Sequence, residues 1–267
     1  MNLDLIEIQR IVVAASREEL LPRFNMVQRQ YKVDGSVVTE ADFAMQQRLM
    51  NELSAVCPDV ALLGEEMSKE QQQNLLSSGQ ALWCVDPLDG TNNFSAGLPY
   101  FCVSIALIIG GKVELGIVYD PIRNDYFSAI PGQGAFLNGQ RLTSNITGLT
   151  LNRTIGFVDY KRLPRKLAIK FMDDLPYGSL RSLGSIALEL SWIAAGRGHI
   201  YFHSQQQLWD YAAAQLILTE AGGQACRLDG SQVFNNDLTP CSTVAALDPT
   251  LYTFWRNYLL SAHAEDG

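Results

Sequence analysis

The chain has no C-x-x-C pair, and its five cysteines, at positions 57, 84, 102, 226 and 241, are odd in number. Neither a disulfide framework nor a thiolate zinc site is indicated, so reduced, mostly buried thiols are expected. Histidine is scarce: His199, His203 and His263 show no metal-ligand spacing. No uninterrupted apolar run approaches the ~20 residues of a membrane helix. The start "MNLDLIEIQR" places acids before its first base, unlike a secretory leader. Positive charge is in deficit, with 20 Lys plus Arg against 28 Asp plus Glu and a formal charge of -8. That balance excludes general affinity for nucleic acid or an anionic membrane. The expectation is a cytoplasmic protein without nucleic-acid or membrane partners.

What is present is an ordinary globular composition, 47% hydrophobic over 267 residues, enough for one large layered core. Apolar positions at helical spacing predict a helix from Leu3 to about Phe24, stopped near Pro22, and a second from Ala41 to Val56, capped by Thr39 or Asp42. The Gln- and Ser-rich segment 67–80 reads as a polar loop without a packed face. From "ALWCV" through "YFCVSIALIIGG", "KVELGIVYD", "DYFSAI" and "GAFLNG", closely spaced runs predict an antiparallel meander. Beyond about residue 149 strands and helices alternate: "TIGFV", a basic helix over "KRLPRKLAIKFMDDL", a strand near Ser179, a helix Ser185 to Ala195, "HIYF", a helix from about Trp209 to Gly222, "QACRL", "STVAAL" and a last helix from Pro249 to Ser261. The two textures divide the chain into 1–148 and 149–267. No repeat and no Pro- or Ser-rich linker separates them, which favours one unit over 1–267.

Three acid-bearing corners follow strand-like runs or open helices: Glu65 after "VALLG", Asp86 and Asp89 after "ALWCV", and Asp210 in "LWDYAAAQLILTEAGG". Carboxylates without histidines or thiolates suit a hard cation such as Mg²⁺, and the turn between Asp86 and Asp89 opens the Leu88 carbonyl to it. Two divalent ions would neutralise four close carboxylates and leave attraction for a phosphate dianion. Gly90 lets a ligand approach the backbone, so the amides of Gly90 and Thr91 can donate to phosphate oxygens. The Thr91 hydroxyl can orient a water if an acid accepts its proton, and Asp42 is the candidate. Each feature alone has a plainer reading: "DPLDG" as a tight turn, Glu65 and Glu66 as a solvated loop, Asp210 as a helix cap, "KRLPRK" as a solvated helix face. Their joint occurrence favours chemistry.

Together "GEE" (64–66), "DPLDGT" (86–91) and "WDYAAAQLILTEAGG" (209–223) resemble the inositol monophosphatase family of Mg²⁺-dependent, lithium-sensitive phosphatases. The resemblance runs from "DGSVVTEAD" through "GIVYDPIRND" and "GQGAFLNG" to "GSIALELSWIAAGR", nearly the whole chain. It implies a mixed α and β fold, a layered αβαβα sandwich as in fructose-1,6-bisphosphatase, and a homodimer. It implies two or three Mg²⁺ ions held by Glu65, Asp86, the Leu88 carbonyl, Asp89 and Asp210. Thr91, partnered by Asp42, and Glu65 would position a water for in-line attack on phosphorus.

The alcohol side departs from the inositol-specific pattern. Family members acting on inositol phosphate carry a glutamate seven residues before the W-D aspartate, where this chain has His203. Ile186 replaces an Ala after the G-[ST] pair that ends in Ser185, and "SQQQL" replaces a Gly-bearing loop. By resemblance, Asp89, Ser185, Ile186, His203 and Asp210 face the substrate. The reading is a phosphomonoesterase for a small polyol or sugar phosphate. Histidinol phosphate, fructose bisphosphate and adenosine 3',5'-bisphosphate are competing esters, and a regulatory or binding protein that keeps the fold is the alternative from another class.

Overall fold

The computed structural model describes residues 4–264; Leu3, where the first helix is expected to begin, lies outside them. Helix α1 (Leu5–Ala15) opens on Asp4, whose Oδ1 accepts from the amides of Ile6 and Glu7, and buries Ile8, Ile11, Val12 and Ala15 as one stripe. A π turn (Ser16–Leu20) and a 3₁₀ turn (Leu21–Arg23) carry it to the stop at Pro22. The hairpin β1 (Gln30–Tyr31) and β2 (Val37–Val38) leads into α2 (Glu40–Val56), whose N-cap is Thr39. After β3 (Ala61–Gly64), the segment expected to be an unpacked loop contains α3 (Lys69–Ser77). Its dock is polar: Ser68 and Gln71 form a capping box, and buried Gln72 donates through Nε2 to Gly64 O at 2.9 Å and Glu65 O at 3.1 Å.

The strands β4 (Leu82–Asp89), β5 (Cys102–Ile109), β6 (Lys112–Asp120), β7 (Asp125–Ile130), β8 (Gly134–Leu137) and β9 (Gln140–Arg141) form the predicted antiparallel meander. β3 joins it parallel to β4, giving a seven-stranded sheet. A short helix (Thr91–Ala96), α4, follows β4. The second half alternates β10 (Ile155–Val158), α5 (Arg165–Asp173), β11 (Ser179–Arg181), α6 (Ile186–Ala194), β12 (Ile200–Gln206), α7 (Leu208–Glu220), β13 (Gln224–Cys226), β14 (Cys241–Ala246) and α8 (Pro249–Ala264). Its five-stranded sheet has the order β11-β10-β12-β14-β13. The basic segment "KRLP" is loop, not helix as expected, because Pro164 lacks an N–H and disfavours helical backbone at the residue before it; α5 starts only at Arg165.

Period-two alternation sorts these strands into layers. On the large sheet Trp83, Val85, Val103, Ile105 and Ile117 face α1 and α2, whereas Cys84, Ala106, Val118 and Phe127 face α6 and α7. On the small sheet Phe157, Tyr201 and Ala245 meet α6 and α7 from the other side, while Ile200, Phe202 and Val244 pack on Phe171 of α5 and Trp255 of α8. The order is α1–α2, large sheet, α6–α7, small sheet, α5–α8, an αβαβα sandwich. At Gly116 of β6 an added Cβ would lie 2.6 Å from Ala213 O, so the glycine and the run Ala212–Ala214 let α7 lie directly on the sheet. Among the described residues no helix is long and apolar enough to cross a membrane.

Candidate active site

A three-residue spacing would send Asp86 and Asp89 to opposite faces of a regular strand. They lie within β4, not in a turn after it as the sequence predicts, and β4 is bulged between them. Asp86 pairs with Ser104 and Asp89 with Cys102, so three steps on β4 match two on β5. The bulge returns both carboxylates to the face covered by α6 and α7, and Pro87, which has no N–H to donate to a ladder, sits within it. Glu65 directly follows β3, where its amide donates to Val85 O at 3.1 Å. The parallel register, Gly64 against Val85, puts Glu65 beside Asp86 on the same face.

Asp210 reaches that face from above, in the first turn of α7. Its Oδ2 accepts from Gln207 N at 2.8 Å, and Ser104, the residue opposite Asp86, donates through Oγ to Trp209 O at 3.0 Å. The first turn of α6 grips Asp89: Oδ2 accepts from Ser185 Oγ at 2.9 Å and from Ala187 N at 2.6 Å. Buried Glu189 holds the preceding loop, accepting on Oε1 from Leu183 N at 2.5 Å and Gly184 N at 3.0 Å. Asn93 stitches the same loop to the β4 side by donating to Leu183 O and Tyr100 O. Gly90, at φ 99°, closes the bulge into α4; a Cβ there would meet Tyr100 O at 3.1 Å and Ser185 Cβ at 3.2 Å.

The acids perturb one another. Burial, then the charges of Glu65, Asp89 and Asp210, pushes the Asp86 carboxyl well above its ordinary value. Burial, then Asp89 and Glu65, does the same to Asp210, and burial lifts Asp89 to about 6. Asp42 is raised by burial as well. It sits at the N-terminus of α2, where Oδ2 accepts from Thr39 N and Oγ1 while Oδ1 lies 2.9 Å from Thr91 Oγ1. Thr91 Oγ1 is also 3.0 Å from the Leu88 carbonyl.

Among the described residues no three His, Cys, Asp or Glu side chains converge tightly enough to enclose a cation as they stand. The donor set nevertheless fits one: four carboxylates and the Leu88 carbonyl are all oxygen, and among the described residues Asp86, Asp89 and Asp210 form no ion pair, the chemistry hard divalent ions satisfy. At Glu65 a countercharge exists that the sequence did not flag. Lys32 Nζ, from the β1–β2 hairpin, lies 2.8 Å from Glu65 Oε1 and 2.7 Å from Glu66 Oε1. Glu66 is lifted to about 7 by burial and by the charge of Glu65.

Ile186, expected to face the alcohol, is half-buried at the start of α6. His203 is 3% exposed, with Nε2 3.1 Å from Asp159 Oδ2. Neither Asp159 nor its partner Arg162 was singled out from the sequence; the signal was the "KRLPRK" run. His199 accepts on Nδ1 from Ile155 N, away from these acids, and the side chain of His263 lies outside the described residues. A separate cleft of about 410 Å³, bordered by Arg141, His199 and Asp248, contains none of the predicted site residues.

A family model described as "Inositol monophosphatase family" matches residues 3–259. The Nus factor SuhB of Pasteurella multocida is 36% identical over 226 residues, 82% of this chain and 81% of that protein. The IMPase of Thermotoga maritima superposes with a TM-score of 0.84 at 26% identity, covering 99% of this chain and all of that one. SaIMPase-II, a staphylococcal IMPase solved with inositol monophosphate bound, superposes with a TM-score of 0.78 at 26% identity, over 97% of this chain and 94% of its own.

Proposed function

The chain belongs to the inositol monophosphatase family, a metal-dependent phosphatase family, and from that premise we propose that it is a Mg²⁺-dependent phosphomonoesterase acting on a small polyol or sugar phosphate. The observation that carries this is the bulge in β4, which turns Asp86 and Asp89 to one face beside Glu65 and under Asp210. Glu65, Asp86, Leu88 O, Asp89 and Asp210 would hold two or three Mg²⁺ ions. Such ions, when bound, supply a lowered pKa to the attacking water and stabilise the departing alkoxide.

The chain's own residues do the orienting. Donating its hydrogen to Asp42 Oδ1, the Thr91 hydroxyl keeps lone pairs free to accept from a water, turning that water's oxygen toward phosphorus. Burial makes Asp42 a stronger proton acceptor than a solvated aspartate. Glu65 would orient the same water from the opposite side. The amides of Gly90 and Thr91 would hold the phosphate, and Ser185 and Ala187 keep Asp89 fixed while charge develops. All five cysteines are free, in keeping with a cytoplasmic protein. A homodimer and lithium sensitivity belong to the same reading.

Phosphate release from a panel of phosphomonoesters, inositol 1-phosphate first, should require Mg²⁺ and stop with EDTA. No release from any member would sink the proposal. A second reading, as a regulatory or binding protein that retains the fold, is favoured by the name Nus factor carried by curated relatives at 33–36% identity. It predicts an inert panel despite an intact fold.

A further inference from the structure

The run Lys161–Lys166 places four of the chain's 20 lysines and arginines within six residues of an otherwise acidic protein. Its first part crosses from the end of β10 to the end of β12. Asp159 N donates to Phe202 O at 3.1 Å, and Ser204 Oγ donates to Arg162 O. Arg162 Nη1 donates to Asp159 Oδ2 at 3.0 Å and stands 3.5 Å from His203 Nε2. The loop is therefore fixed against the segment that leads to Asp210.

His203 offers a ligand little there. Its Nδ1 accepts from Gln205 N at 3.3 Å, so Nε2 carries the hydrogen and donates to Asp159. Burial lowers its pKa, and with Nδ1 accepting and Nε2 donating both nitrogens are taken. Arg162 is different: a guanidinium has five N–H donors and Asp159 engages only one nitrogen. The Arg162 side chain is 41% exposed and that of Asp159 only 12%, so the cation is the more accessible partner. Burial alone would raise the Asp159 carboxyl, but hydrogen bonds from His203 and Arg162 hold it below its ordinary value, so it stays charged and keeps Arg162 in place. The guanidinium thus stands beside His203 on β12, the strand that runs into the first turn of α7.

We propose that Arg162, positioned by the Asp159–His203 pair, is a specificity determinant that selects phosphate esters whose alcohol carries a second anionic group, a carboxylate or another phosphate. This rests on the phosphomonoesterase reading and narrows its substrate class. A bidentate guanidinium contact supplies directional recognition of such a group, and a neutral polyol supplies none.

The test uses two matched pairs with Mg²⁺: 2-phosphoglycerate against glycerol 2-phosphate, and fructose 1,6-bisphosphate against fructose 1-phosphate. The doubly anionic member of at least one pair should be favoured in kcat/KM by about tenfold or more. Arg162→Met should collapse that ratio through KM, Arg162→Lys should keep part of it, and added salt should reduce it in the unmutated chain. The pair that shows the preference identifies carboxylate or phosphate as the second group. Ratios near one in the unmutated chain, or a ratio unchanged within about twofold in Arg162→Met, would overturn the inference while leaving the hydrolase reading intact. Hydrolysis of none of the four while another phosphomonoester is hydrolysed overturns the inference alone; hydrolysis of no phosphomonoester overturns both.

Discussion

In the presence of a chelator, the melting temperature should fall as pH rises from about 5 to about 8, the opposite of what carboxylates in ion pairs produce. Burial lifts Asp89 from 3.8 to about 6, so the folded chain binds that proton more tightly than the unfolded chain does. Its contribution is complete below the unfolded value near 4 and is lost as pH climbs through about 6, roughly 3 kcal/mol in all. Asp86 and Asp210 are raised too, by burial first and then by neighbouring charge, so they act with the same sign and extend the decline upward. Asp159, held below its ordinary value, has already delivered its stabilisation above about pH 4, whereas His203, lowered by burial, works with the opposite sign and makes the net fall smaller than the carboxylates alone would give. At roughly 0.6 kcal/mol per degree for a chain of this length, the whole Asp89 contribution corresponds to about 5 °C, of which about 2 °C falls between pH 5 and pH 8. Divalent cation should oppose the decline, because Mg²⁺ needs deprotonated ligands and stabilises by about 2.7 kcal/mol at 100 times its Kd. Differential scanning calorimetry across the pH series, with EDTA and with Mg²⁺, reads both effects. A melting temperature that holds steady or rises with pH in EDTA would refute the reasoning, as would Mg²⁺ stabilisation no larger at pH 8 than at pH 5.

Asp89→Asn should cut Mg²⁺-dependent phosphate release by on the order of 100-fold or more, while its melting temperature at neutral pH in EDTA stays level or rises; most activity surviving would show that Asp89 holds no metal. Gly90→Ala forces a side chain into φ 99° and against Tyr100 O, and should cost roughly 1–2 kcal/mol with a parallel loss of turnover. An unchanged melting curve would mean that the turn relaxes freely.

The strands were largely legible because they read as short apolar runs punctuated by turn residues, as over Leu82–Val85, buried on both faces; the layered sandwich followed from the family resemblance. Helix α3 was not, since it is docked by a capping box and the Gln72 amide, and only Gln72 and Leu76 are buried. The candidate acids could be picked out by residue type and by family resemblance. What the residues alone could not show was the bulge that makes Asp86 and Asp89 neighbours, because that depends on the register of β4 against β5. Lys32, Asp159 and Glu189 escaped notice for a related reason. Lys32 and Glu65 are 33 positions apart, and His203 meets an acid that stands on a different strand. Glu189 did leave a trace, a lone acid in the apolar run of α6, which reads as a flaw in a core helix until the loop it holds is seen.

The large sheet carries the acids of β4 and of the residue after β3, and the small sheet carries, at β10 and β12, the wall proposed to face the alcohol. An inhibitor built around a metal-chelating head would meet the first set of groups, whose chemistry the family resemblance implies is shared by its relatives. Selectivity for this chain would have to come from a second group that reaches Arg162, so the two sheets divide such a ligand into a part common to the family and a part particular to this chain.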